Sequence, residues 1–210
     1  DETWKLWAMP SGDLIMSGEG HKDWLSGLQF HPRGSHLATA AGDGTVKLWD
    51  FASASCVATF TDHTQPVWSV DFHHSGDFIA SSSMDHTAKL WDVNSGKEIH
   101  TLLGHTAEIV SLNFNTDGRQ VITGSFDHTI KLWDVGTGKC IHTLSGHHGE
   151  ISSTQFNFSS ELCISGSIDR TCKIWNVKTG QCLQTLRGHN DEILDVAFNA
   201  TGSKLVTASA

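Results

Sequence analysis

"TVKLWD" at residues 45–50 is answered by "TAKLWD" at 87–92, "TIKLWD" at 129–134 and "TCKIWN" at 171–176. Their tryptophans, Trp49, Trp91, Trp133 and Trp175, stand 42 residues apart, and one further step back lands on Trp7. Histidines 21, 63, 105, 147 and 189 and aspartates 1, 43, 85, 127 and 169 keep the same step, so five units of 42 account for all 210 residues. A period of this length marks a chain of stacked supersecondary units. Inside one unit, "WLSGLQFHPRGSHLATAAGDGTVKLWDFASASCVATF" (24–60), four β-type runs are separated by Pro-Arg-Gly, Gly-Asp-Gly and a Ser/Ala-rich turn. Four short strands cannot bury both their faces alone, so neighbouring units must stack around an axis. The expected class is all-β, a propeller.

Gly-His near the start of the unit and Trp-Asp near its end, at about 40–45 residues per unit, resemble the WD40 repeat. The resemblance covers the whole chain. It implies a single WD40 propeller domain, 1–210, with four-stranded blades at 21–62, 63–104, 105–146 and 147–188. The fifth blade is expected to be composite, with 189–210 giving its inner strands and 1–20, beginning "DETWKLW", its outer ones. The two pieces supply 22 and 20 residues of one 42-residue unit. Such closure would hide sheet edges that otherwise invite aggregation. Five blades must turn about 72° each, against about 51° for seven. Gly27, Ser69, Ser111 and Ser153 on the inner strand suit that crowding, whereas Asp195 does not. A closed ring would be a monomer; an open arc would expose apolar sheet faces and form a homo-oligomer.

Each unit also repeats a polar set: His21, Thr39, Asp43 and Trp49; His63, Ser81, Asp85 and Trp91; His105, Thr123, Asp127 and Trp133; His147, Ser165, Asp169 and Trp175. A fifth set, His189, Thr207, Asp1 and Trp7, would join residues from both extremities. Ser, His and Asp together invite a hydrolase reading. A catalytic constellation occurs once per fold, however, and this one recurs with a bulky aromatic as its fourth member. The set is read instead as satisfaction of buried polar groups: a hydroxyl accepts the indole N–H, and His bridges hydroxyl to carboxylate. In WD40 proteins such a network ties inner strands to outer ones, which the resemblance implies here. No enzyme activity and no catalytic residue is expected.

Composition narrows the partners. With 23 acidic and 14 basic side chains the chain carries a formal charge of -9, which disfavours nucleic acid or an anionic membrane. Five cysteines without a CxxC pair suggest neither a disulfide framework nor a zinc finger, and a reducing, cytoplasmic setting is expected. No apolar run approaches the ~20 residues of a membrane span, and no leader-like segment stands at the start, so a soluble protein is expected. "GTGK" at 136–139 lacks the upstream Gly of a phosphate loop and is followed by Cys140. The fourteen histidines show no HxH or HExxH pair, and no metal or cofactor is expected.

Function should therefore lie on the surfaces the blades hold out. In WD40 proteins three positions per blade line the face around the axis where peptides and proteins dock. By motif offset these are Trp24, Ser26 and Gly42; Pro66, Trp68 and Met84; Glu108, Val110 and Phe126; Glu150, Ser152 and Ile168; Glu192, Leu194 and Ala210. Aromatic and apolar anchors beside three glutamates would suit a protein or peptide that is basic and partly apolar. The alternative is that Trp24 or Trp68 packs between blades and the glutamates are merely solvated. The units themselves differ: the first two carry "FHP" and "FHH", the last three "NFN", "QFN" and "AFN". Residues 1–92 resemble sperm-associated WD-repeat proteins of the ciliary central apparatus, and 93–210 are similar to WD-repeat factors of outer dynein arm assembly and transport. These resemblances imply a scaffold of cilium or flagellum. A break at a blade boundary also implies an engineered chimera, which could lack any biological partner.

Overall fold

A computed structural model describes residues 1–210. It is all-β, and each repeat unit is built from antiparallel strands joined by short turns. The first two strands, β1 (Trp4–Trp7) and β2 (Leu14–Gly18), pair only with each other. Four complete four-stranded sheets follow. The first holds β3 (Leu25–Phe30), β4 (His36–Ala41), β5 (Val46–Asp50) and β6 (Ser55–Phe60). The second holds β7 (Val67–Phe72), β8 (Phe78–Ser83), β9 (Ala88–Asp92) and β10 (Glu98–Leu102). The third holds β11 (Ile109–Phe114), β12 (Gln120–Ser125), β13 (Ile130–Asp134) and β14 (Cys140–Leu144). The fourth holds β15 (Ile151–Phe156), β16 (Leu162–Ser167), β17 (Cys172–Asn176) and β18 (Cys182–Leu186). Last come β19 (Ile193–Phe198) and β20 (Leu205–Ser209), which again pair only with each other.

Tight turns set these hairpins. Between the second and third strand of each sheet the chain must pass through left-handed backbone, taken by Gly44 (φ 78°), His86 (67°), His128 (70°) and Arg170 (68°). The Asp two residues before each Thr accepts that threonine's N–H and hydroxyl, for example Thr87 on Asp85 at 2.9 and 2.6 Å, and this local bonding holds the strained turn.

The core lies between sheets. One face of each sheet offers small and aliphatic residues, and the next sheet's opposite face offers a larger set that includes the repeat tryptophan. Ala38, Ala40, Val46, Leu48 and Phe60 thus meet Val67, Val70, Phe72, Ile79 and Trp91. Equivalent layers join the second sheet to the third and the third to the fourth. Burial of a side chain of this size stabilises by about 1.5–3 kcal/mol. Close inner-strand approach requires small residues: a Cβ on Gly27 would lie 3.3 Å from the Ser69 Cα.

One expectation is corrected. The fifth unit is not a composite sheet, because β20 does not pair with β1. Inner strands pack in the succession β3, β7, β11, β15, β19, which does not return from β19 to β3. Instead β1–β2 lies on the first sheet, Trp4 meeting Trp49 edge to face at 5.4 Å, while β19–β20 lies on the fourth. With the arc open, Asp195 meets no crowding: it is exposed and accepts the Ser153 hydroxyl at 2.8 Å.

Candidate functional site

The repeated polar sets assemble in the four complete sheets. His21, His63, His105 and His147 each place Nδ1 within 2.7–3.0 Å of the turn aspartate and Nε2 within 2.8 Å of the Thr or Ser hydroxyl. The indole N–H of Trp49, Trp91, Trp133 and Trp175 donates to that same oxygen at 2.8 Å. With Nδ1–H donating to the carboxylate, Nε2 accepts the hydroxyl proton and the hydroxyl oxygen is left to accept the indole. Every polar atom has a partner. The hydroxyls are fully buried, so no substrate atom could reach them as a nucleophile.

Charge follows from this bonding. Burial would raise the carboxyls of Asp85, Asp127 and Asp169, but donation from histidine, threonine and backbone N–H groups outweighs it and holds all three well below the usual range. Asp43 is lowered by the same balance. Burial pushes His21 and His147 below the ordinary imidazole value, against the pull of Asp43 and Asp169.

The fifth set is incomplete, a second correction. His189 Nε2 lies 2.6 Å from Thr207 Oγ1, but Asp1 bonds only Thr3 and Trp7 stands half exposed on another sheet.

Two kinds of residue were missed from the sequence. Thr45, Thr87, Thr129 and Thr171 fix the aspartate through Oδ1, and Ser83, Ser125 and Ser167 accept the aspartate N–H, Ser83 and Ser125 also donating to carbonyls of the preceding loop. Both recur at fixed offsets, and that was the signal.

The expected docking positions are brought together in pairs. Gly42, Met84, Phe126, Ile168 and Ala210 each donate their backbone N–H, at 2.8–3.1 Å, to the carbonyl of Trp24, Pro66, Glu108, Glu150 and Glu192 respectively. All five pairs are thus at the edge where the first strand of a unit begins. Trp24 and Trp68 lean on one another with ring centroids 5.2 Å apart, and Trp24 occupies the space a Cβ on Gly42 would need, 2.7 Å away. The buried Trp68 indole N–H has no partner. Ser26 and Ser152 are engaged in fastening blades, their hydroxyls donating to the carbonyls of Val67 and Ile193. Val110 is half-buried, whereas Glu192 and Leu194 are exposed.

No group of three or more His, Cys, Asp or Glu side chains is placed to hold a metal ion. The stacked sheets, the Gly-His and Trp-Asp signatures and the recurring network define a WD40-repeat protein. The pattern "WD domain, G-beta repeat" matches residues 10–50, 54–92, 96–134, 138–176 and 180–210, and the chain belongs to that family. It is similar to the flagellar WD repeat-containing protein Pf20 of Chlamydomonas reinhardtii, 78% identical over 23 residues, which are 11% of this chain and 4% of that one. It is also similar to nuclear distribution protein PAC1-2 of Postia placenta (47% over 36 residues, 17% and 8% of the two chains) and to the lissencephaly-1 homolog of Caenorhabditis briggsae (37% over 41, 20% and 10%). Each match thus spans a tenth or less of the relative's own length.

Proposed function

We propose that the chain is a non-catalytic interaction scaffold whose docking face is the edge bearing the five turn-to-strand pairs. The observation that carries the reading is that these pairs hold side chains outside the polar network, partly exposed, at one edge of successive blades. Trp24, Trp68, Met84 and Phe126 offer apolar anchors in the first units, and Glu108, Glu150 and Glu192 offer carboxylates in the later ones. A basic, partly apolar segment suits this division and the chain's net charge of -9. The short likeness to a flagellar WD-repeat protein supports a parent role in cilium or flagellum; dynein arm assembly and transport, in a cytoplasmic setting, belong to the same proposal and rest on the resemblance of residues 93–210 alone.

A second reading is favoured by the change of repeat signature near residue 93: two parents joined at a blade boundary, with no partner retained. A fluorescein-labelled peptide of alternating Arg and Leu separates the two by fluorescence anisotropy. The docking reading expects salt-sensitive binding weakened at least tenfold both by Trp24→Ala with Phe126→Ala and by replacing the three glutamates with Gln. Binding indifferent to both sets would sink it.

A further inference from the structure

The seams between complete sheets are not filled alike. In β10 and β14, His100 and His142 stand opposite Leu90 and Leu132 of the neighbouring strand and reach across to the next sheet. Nε2 of His100 lies 3.1 Å from the Gly136 carbonyl, and Nε2 of His142 lies 3.1 Å from the Lys178 carbonyl. A carbonyl only accepts, so in each ring Nε2 carries the proton and donates it. Each ring also rests on a glycine of the same turn. A Cβ on Gly138 would come within 2.8 Å of the His100 ring, and one on Gly180 within 3.1 Å of the His142 ring.

In β6 the same register, opposite Leu48, holds Ala58. The turn that should receive a ring is nevertheless unchanged. Gly96 (φ 69°) matches Gly138 (67°) and Gly180 (70°), and its N–H donates to the Asp92 carbonyl at 2.9 Å as theirs do to Asp134 and Asn176 at 2.8 and 2.9 Å. What differs is the occupant: nothing lies within 4 Å of a Cβ on Gly96. A cavity of about 560 Å³ follows this seam and reaches Leu48, Val57, Ala58, Val93, Asn94 and Gly96. The corresponding groove between the third and fourth sheets, about 710 Å³, is lined by none of the equivalents Leu132, Ile141, His142 and Gly180. Both sheets beside Ala58 are complete and four-stranded, so the vacancy follows from one small side chain.

We propose that this vacancy is a binding site for an imidazole ring, the side chain of a histidine in a partner's peptide segment. Its ring N–H donates to the Asn94 carbonyl, the register counterpart of the Gly136 and Lys178 carbonyls, and its face lies on Gly96. The two filled seams state the chemistry that this backbone accepts. A phenyl ring would leave the carbonyl unpaired, and an ammonium group would lose hydration against Leu48, Val57 and Val93. A segment suits the site better than a lone ring because the cavity runs on to Arg33 and Asp77, both exposed and neither in an ion pair, which offer the residues flanking the histidine a charge of either sign. The seat lies among the turns that join the first strand to the second and the third to the fourth. That is the edge opposite the proposed docking face, and either site can fail without the other.

Nuclear magnetic resonance of the nitrogen-15-labelled chain tests the seat. Acetyl-Gly-His-Gly-amide should shift the Gly96 and Ala58 amide signals saturably, and acetyl-Gly-Phe-Gly-amide should bind about tenfold more weakly for want of the hydrogen bond. Ala58→His should fill the seat from within and abolish the shifts. His100→Ala should open a second seat, read at the Gly138 amide, in a chain whose circular dichroism is unchanged. The proposal is overturned by silence at Gly96, by equal affinity for the two peptides, by shifts that survive Ala58→His, or by a folded His100→Ala chain that stays silent at Gly138. Free imidazole binding as tightly as the histidine peptide would assign the seat to a small molecule and overturn the partner segment.

Discussion

Replacing Ser81 by Ala separates a complete polar network from an incomplete one. Ser81 is fully buried; its Oγ accepts the Trp91 indole N–H at 2.8 Å and meets His63 Nε2 at 2.8 Å. Loss of the hydroxyl strands one donor and one acceptor where water does not reach, each worth about 1–3 kcal/mol, and because the two are coupled a total of about 3 kcal/mol is expected. For a chain of this size, with a urea slope of about 2 kcal/mol/M, the midpoint should fall by about 1.5 M. The control is Thr207→Ala. There a single bond to His189 is lost at a half-buried site with no indole attached, so at most about 1 kcal/mol is expected. Both are read by urea titration of tryptophan fluorescence. Equal shifts for the two variants would refute the argument that the network, and not the hydroxyl by itself, carries the energy.

Acid should unfold the chain in two stages, followed by thermal melts across pH. His21 and His147 bind protons less readily when folded, so their contribution is full above about pH 6.5 and is lost as pH falls below it. Asp43, Asp85, Asp127 and Asp169, lowered in the fold, contribute above about pH 4 and lose that contribution as pH falls further. Buried Asp71 acts oppositely: burial raises its carboxyl, and protonation relieves it; a melting temperature flat from pH 7 to pH 3 would contradict this balance. A thiol reagent should label Cys56, Cys140 and Cys182 of the native chain, all exposed, and spare Cys163 and Cys172, which burial pushes up to about 12 and about 11. Mass spectrometry showing five adducts before unfolding would refute it. Gly42→Val places a side chain where the Trp24 ring lies and should displace the indole, shifting fluorescence to the red while changing stability by about 0.5 kcal/mol or less at this partly exposed site; an unshifted spectrum would show that Trp24 can stay.

The 42-residue register made most of the architecture legible because each unit specifies its own strands, turns and polar set from residues within it. His63, Ser81, Asp85 and Trp91 need only one sheet to meet, and the same offsets bring their counterparts together in three others. The docking pairs were placed by the same offsets, but what each residue does there was not. Ser26 and Ser152 fasten neighbouring blades, and Gly42 is small because Trp24 lies over it. Those roles depend on what stands across a gap, which no single unit encodes.

Closure is a different quantity again. Whether β20 reaches β1 depends on the turn between successive sheets, accumulated over every layer, so a modest difference per layer separates a ring from an open arc. Position-by-position reading finds Trp7, Asp1, His189 and Thr207 as members of one network, and the structure keeps them chemically matched while holding them on separate sheets. Local complementarity thus survives the failure of global geometry.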